Sequence, residues 1–343
     1  MTSALSQRPS AGHKIRVLTA KGLEESPPAA LSTALCALDQ PQCPVTWIHA
    51  EHDEAVVKAL DDMGLDEIAV KSLRDGPERP RVEEFADHLY ISLFSAGKSG
   101  GKPAPNRTAQ EDVAAPLPRL RELRVFLSAT WVISVGHIDP SDYETLELRM
   151  RRQVFSRNRG PSFIVYHICE WLVESLQPTL ERLDDRIDAL EDEVVLTTGD
   201  ATMHELFGLK RDLVDLRRRV APLRDVMQRL GSHGVVFIQP EAEVYFRDVH
   251  DDVLRAIELL DTYRDILSSA LDLHLSSVSN RLNRVMKQLT VVATMFMPLS
   301  FLVGLFGTNF TSMPYRSFPW FLTMFVLFLI SVAAMWIYTW RRT

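Results

Sequence analysis

The chain is predicted to be an α+β membrane protein: an N-terminal α/β domain, then a long stalk helix running into the first of two transmembrane helices. Three observations predict this. Short β-branched and aromatic runs alternate with helical periods only in the first ~155 of the 343 residues. Long amphipathic periods fill the middle. Residues 289–306 and 319–338 then contain no Asp, Glu, Lys or Arg, and each run is near the ~20 apolar residues that cover a ~30 Å hydrocarbon layer. A mean hydropathy of -0.03 conceals this division between a charged first part and an apolar last part.

Residues 1–12 are polar, lack the apolar centre of a signal peptide and read as a loose tail. Residues 13–160 form the α/β domain. Strands are expected at 15–19, 45–49, 89–94, 123–127 and 131–135 from their β-branched and aromatic content, and helices at 51–63 and 141–155 from their period. Residues 97–118, rich in Gly, Pro, Ala and Lys, read as a mobile insertion. Cys36, Cys43 and Cys169 have no CxxC spacing and are expected to be buried thiols. His49, Glu51, His52 and Asp53 are donors of the kind zinc uses. They straddle a strand end and a helix start, which favours solvated polar residues with a capping role. No Gly-rich phosphate loop follows a strand and no Ser/His/Asp arrangement stands out, so an enzymatic reading has nothing to rest on. No resident cofactor and no nucleic-acid partner are expected.

Residues 161–240 read as a helical hairpin. Helices over 162–195 and 201–230 are separated by Thr197-Thr198-Gly199-Asp200, where Gly199 stops one and Asp200 caps the next. The first carries Glu181, Asp184, Asp185, Asp188, Glu191, Asp192 and Glu193. This is a solvated face with i,i+4 support from Arg182 and Arg186, or an acidic skirt that concentrates cations.

Residues 241–306 are the stalk and first span, 307–318 an external loop, 319–340 the second span and 341–343 a short tail. Arg281, Arg284 and Lys287 precede the first span, Arg341 and Arg342 follow the second, and the loop holds only Arg316. Both termini are therefore expected in the cytoplasm, with Trp320, Trp336, Tyr338 and Trp340 as interfacial anchors. A step of seven along the stalk gives Asp251, Glu258, Asp265, Asp272, Ser279, Met286, Ala293, Ser300 and Gly307. Arg255, Thr262, Ser269, Ser276, Asn283, Thr290, Met297 and Gly304 interleave with them. This is the period of supercoiled bundles, with a polar or small seam in place of an apolar one. Leu254, Ile257, Leu260, Leu267, Leu271 and Leu282 flank it and are expected to pack chain against chain. Two spans cannot enclose water, so a path along the seam requires several copies about an axis. The alternatives are a solvated helix face and, within the membrane, tight packing of small residues. Met286, Leu289 and Met297 follow Asn283 on the same face and read as a ring that closes by dewetting, or as ordinary helix packing.

Several segments carry a resemblance. These are Tyr245-Phe246-Arg247-Asp248-Val249-His250-Asp251, Leu275-Ser276-Ser277-Val278-Ser279-Asn280, Asn283-Arg284-Val285-Met286-Lys287-Gln288-Leu289-Thr290 and Met297-Pro298-Leu299. Densely over residues 241–314 and loosely before them, the chain resembles the CorA family of magnesium and cobalt channels. The family signature is Gly-Met-Asn followed by Met-Pro; here Gly307-Thr308-Asn309 and Met313-Pro314 occupy those places, with Thr308 for the methionine. The resemblance implies a homopentameric funnel in the bacterial inner membrane, multi-pass, that conducts divalent cations. Gly307, Thr308 and Asn309 would form the selectivity filter, its amide oxygens holding a hydrated ion that sheds water reluctantly. The acidic residue common after Met-Pro is replaced by Tyr315 and Arg316, and five such arginines would oppose cation capture, tempered by screening over ~8 Å. The family's regulatory cation, held by carboxylates of neighbouring copies, implies Asp248 as one ligand. The other falls in register on Ala86, with Asp87 the nearest acid. Two further readings stay open: a transport-inactive regulator or scaffold of the same shape, and a zinc transporter of the ZntB type.

Overall fold

The computed structural model describes residues 15–26, 34, 45–76, 78–96, 120–196, 200–307 and 317–342. It divides into two compact units, Met1–Glu193 with Asp200–Ser269, and Val194–Gly199 with Ala270–Thr343.

The first unit is built on a sheet of β1 (Ile15–Thr19), β2 (Gly22–Ser26), β3 (Thr46–Ala50), β4 (Arg81–Glu84), β5 (Leu89–Ala96), β6 (Leu120–Leu127) and β7 (Trp131–Gly136), in the order β2-β1-β3-β7-β6-β5-β4. β3 and β7 pair parallel and their neighbours pair antiparallel. Successive side chains alternate between faces. Leu89, Ile91, Leu93, Leu123, Val125 and Val132 enter one apolar cluster, and Tyr90, Phe126, Ile133 and Val135 enter the other. The second cluster is closed by α1 (Glu54–Asp62) and α2 (Glu67–Arg74) through Val56, Leu60, Val70 and Leu73. The first is closed by α3 (Pro140–Arg149), α4 (Pro161–Leu196), α5 (Asp200–Leu230) and α6 (Pro240–Gly307), through residues such as Leu146, Ile164, Leu223 and Phe246.

Strands β2 and β4 and helix α2 were not expected. The strands are the sheet's two edges, and their sequences GLEES and RVEE carry the charges that keep an edge from pairing with another chain, which removes the apolar signal. Helix α2 is short, and Asp66 caps it by accepting a 2.9 Å bond from the Ile68 amide. Gly136, at φ +152°, ends β7 where a Cβ would stand 2.6 Å from the Glu122 carbonyl oxygen. The expected 51–63 helix starts later, at Glu54. The 141–155 helix is α3 followed by a π-helical turn, Met150–Phe155. The first twelve residues, the 97–118 insertion, Cys36, Cys43, Thr198 and Gly199 lie outside the described residues.

Helix α6 is continuous over 68 residues. Phe246, Val249, Val253, Ala256, Leu260, Tyr263, Leu267, Ala270 and His274 are buried along it, in steps of three and four. Its first part meets α4 through Phe163–Tyr245 and Tyr166–Phe246 ring contacts. It meets α5 through Arg217, which donates to both Asp261 oxygens at 2.6 and 3.1 Å. Leu260 and Leu267 were expected as flanks between chains; instead both are buried within this one. A seam read from period alone does not say on which side the partner lies.

The second unit contains the distal part of α6 and α7 (Phe318–Arg342). Among the described residues no helix is long and apolar enough to cross a membrane. Leu302, Leu305, Phe306, Met335, Trp336, Tyr338 and Trp340, which complete the two uncharged runs, have side chains outside the described residues. What is described is exposed and apolar: Leu282, Leu289, Phe296, Phe301 and Val303 on α6, and Phe321, Phe325, Leu329 and Ile330 on α7.

Candidate functional site: an exposed polar stripe and two surface carboxylates

The polar stripe of α6 stands about two residues out of register with its buried heptad, so at 100° per residue the two lie on opposite faces of the helix. Asp251, Arg255, Glu258, Thr262, Asp265, Ser269, Asp272, Ser276, Ser279 and Asn283 are all exposed. The stripe continues through Met286, Thr290, Ala293, Met297, Ser300, Gly304 and Gly307, again exposed. Met286, Leu289 and Met297 have relative exposures of 58%, 61% and 73%, so among the described residues each leaves more than half of its surface uncovered. Thr308, Asn309 and Arg316 lie outside the described residues.

The two carboxylates implied for a regulatory cation lie on different elements of the first unit. Asp87 sits in the β4–β5 turn with its side chain 65% exposed; His88 Nδ1 is 2.7 Å from its Oδ1, and Ser128 Oγ donates to its main-chain oxygen at 3.0 Å. Ala86 is exposed beside it. Asp248 is exposed on the third turn of α6. Carboxylate oxygens are the hard donors that Mg2+ takes, so both residues fit such an ion. Among the described residues of one chain no group of three or more His, Cys, Asp or Glu is placed to hold a metal.

The acids of α4, Glu181, Asp184, Asp185, Asp188, Glu191, Asp192 and Glu193, are all exposed. Their expected arginine support takes another form: Arg182 Nε donates to the Pro178 carbonyl and Arg186 reaches Glu205 on α5, 3.8 Å away. Burial first, and then a hydrogen bond to Asp184, pushes the Tyr263 hydroxyl up to about 12.

His49 corrects an expectation. It is buried in β3, not solvated, with Nδ1 3.0 Å from Ser134 Oγ, which also accepts from Trp47 Nε1 at 3.0 Å. Burial, helped by Arg16 and His137, lowers it to about 3. His52 Nε2 is 2.7 Å from the Leu73 carbonyl oxygen, and Asp53 stands at the N-cap of α1 without a side-chain capping bond. Cys169 is a buried thiol whose pKa burial raises. A second polar group went unforeseen: Glu170 accepts from Tyr166 Oη at 2.7 Å, faces His167 Nδ1 at 2.9 Å and accepts from Arg149 at 3.2 Å. Burial opposes its ionisation, but these donors outweigh it and hold the carboxyl below its usual range. The Tyr-His-x-x-Glu spacing on one helix face was its only signal.

A family model described as CorA-like Mg2+ transporter protein matches residues 44–342. The chain belongs to this CorA-like family. It is 33% identical over 280 residues to the cobalt/magnesium transport protein CorA of Thermotoga maritima, covering 80% of this chain and 76% of that one. It is 24% identical over 318 residues to the zinc transport protein ZntB of Yersinia enterocolitica, covering 91% and 90%. The complete structure of the CorA magnesium transporter from Methanocaldococcus jannaschii superposes with a TM-score of 0.74 at 21% identity, over 98% of this chain and 99% of that one. At that identity the superposition concerns the fold. The stripe, the carboxylates and the exposed apolar ends are thus features of a CorA-like chain, and the family is one of transporters, not enzymes.

Proposed function

We propose that five copies of this CorA-like chain surround a central path in a bacterial plasma membrane and carry divalent cations along it, Mg2+ or Co2+ before Zn2+, down the electrochemical gradient. Residues 289–306 and 319–340 cross the bilayer, both termini are cytoplasmic, and the 307–318 loop is external. The observation that carries this reading is the exposed stripe opposite the buried heptad of α6. With one face committed to its own chain, the helix has its polar face left for an axis shared with other copies. The exposed apolar residues beyond Leu282 support the membrane part, because soluble chains rarely leave so large an apolar surface open.

In this arrangement the amides of Asn309, with the Gly307 backbone and Thr308, receive the hydrated ion. A potential of ~100 mV, negative inside, favours entry of a doubly charged ion by roughly 2 × 2.3 kcal/mol, so no nucleotide is required. Asn283, Thr290, Ser300 and Gly304 line the path, with Asp265 and Asp272 below, and rings of Met286, Leu289 and Met297 close it by excluding water. Cytoplasmic Mg2+ between Asp87 and Asp248 of neighbouring copies neutralises carboxylates that otherwise repel, and favours the closed state. Arg316 lowers cation capture at the outer mouth.

Flux into proteoliposomes tests the reading. Asn309→Ala is expected to abolish uptake of Mg2+ and Co2+ while the assembly keeps its size; undiminished flux would rule out the filter. A second reading, zinc transport, is favoured by Thr308 at the methionine position and by the resemblance to ZntB. Parallel uptake of Mg2+, Co2+, Ni2+ and Zn2+, with and without a pH gradient, separates the two. Failure to carry any of them would leave a membrane regulator or scaffold.

A further inference from the structure

The turn that presents Asp87 is built over a histidine that the preceding reading leaves unused. His88 is fully buried, its ring stacked on Phe85 at 4.9 Å and 18° and tilted against Phe126 at 5.9 Å. Its Nε2 is buried without a hydrogen-bond partner, while Nδ1 faces Asp87 Oδ1 at 2.7 Å. A proton on Nε2 would leave a dry N–H without an acceptor and turn the Nδ1 lone pair toward a carboxylate. The proton therefore belongs on Nδ1, and the bond is an N–H donated to Asp87. Two further bonds fix the same turn: the Phe85 amide donates to the His88 carbonyl at 2.9 Å, and Ser128 Oγ holds the Asp87 carbonyl.

We infer that His88 is a positioning residue for a divalent cation, holding Oδ1 of Asp87 so that Oδ2 is presented to the ion in a fixed direction. This deepens the reading of Asp87 as a regulatory ligand and rests on it. An imidazole packed between Phe85 and Phe126 cannot swing, so the carboxylate bonded to it is restricted to one direction while its side chain stays 65% exposed to an ion. Groups that orient a metal ligand in this way change affinity by about 10- to 100-fold when removed.

The test uses the full chain purified in detergent, titrated with MgCl2, with protection from limited proteolysis and calorimetric heat as readouts. His88→Phe fills the same space without the donor and is expected to raise the Mg2+ midpoint about tenfold; His88→Leu takes its place should that variant not assemble. His88→Asn puts an amide N–H near the position of Nδ1 and is expected to stay within about twofold of the parent. The double variant Asp87→Ala/His88→Phe is expected to be no weaker than Asp87→Ala alone, because both act through one ligand. A midpoint shifted by Asp87→Ala but unmoved by His88→Phe would overturn the inference. So would His88→Asn binding as weakly as His88→Phe, which would leave His88 a packing role. Asp87→Ala without effect would overturn the regulatory reading itself, and this inference with it.

Discussion

The two ends of α6 share one continuous backbone and differ in what their apolar side chains touch. Between Phe246 and Leu267 a heptad of apolar residues is buried, with Phe246 and Leu260 at 0% exposure. Beyond His274 the same helix presents Leu282 at 60% and Phe301 at 69%. The first part is stabilised by its own fold, through α4, α5 and the Arg217–Asp261 pair. Among the described residues the second has no such support, and its apolar surface is the part that the proposed bilayer and neighbouring copies would cover. Apolar period alone is common to both, so period identifies a helix and not its partner.

Substitutions at the two ends break or sharpen this contrast. Leu260→Ala removes a fully buried side chain and is expected to cost about 2–5 kcal/mol in chaotrope unfolding of the full chain in detergent. A loss no larger than that of an exposed site would mean that the heptad does not stabilise the chain. Phe325→Arg, at an exposed position of α7, is expected to cost about 2.5–3.5 kcal/mol in apparent membrane-insertion free energy if α7 is a span. Equal insertion of parent and variant would remove that proposal.

The pH dependence belongs to the first unit. Folded His49 titrates at about 3, against about 6.5 in the unfolded chain, so the unfolded state takes up the proton first. Its contribution to stability is complete above about pH 6.5 and is lost toward pH 3, at up to about 1.4 kcal/mol per pH unit. His49→Gln is expected to flatten that slope in melts between pH 7 and 4, whatever it does to stability at neutral pH. A slope that persisted unchanged would assign the acid sensitivity to other groups. Arg217→Gln, at a partly exposed pair, is expected to cost less than about 1 kcal/mol. Smallest in stability, Leu289→Ala is expected to change unfolding by less than about 0.5 kcal/mol while raising basal flux, since Leu289 is 61% exposed among the described residues. A large loss of stability there would place Leu289 in an interior.

Much of the helical part was legible because a long helix repeats its signal many times: α4, α5 and α6 fall within a few residues of the expected bounds. The central strands were legible for the same reason, since β5 and β7 are buried along their whole length and read as apolar runs. The edge strands β2 and β4 were not, because an edge keeps charged residues that no period distinguishes from a loop. For the candidate site, the polar stripe and the residues around Asp248 could be named from spacing and resemblance. The burial of His49 could not, because a histidine beside Glu51, His52 and Asp53 looks solvated until Trp47 and Ser134 close around it. The anchoring of Asp87 by His88 was equally out of reach, since adjacent letters do not say which side chain turns inward.

The sequence by itself determined the family, the order of sheet-forming and helical segments, and the polar seam with its variant Gly-Thr-Asn end. These depend on local period and on short runs of residues, which are written along the chain. Only the tertiary structure decided that Leu260 and Leu267 are spent inside the chain, that the seam lies on the opposite face, and that His88 lies beneath Asp87. Those facts depend on which surfaces meet, and a helix or a turn exposes several faces whose partners are set by the packing of elements far apart in sequence.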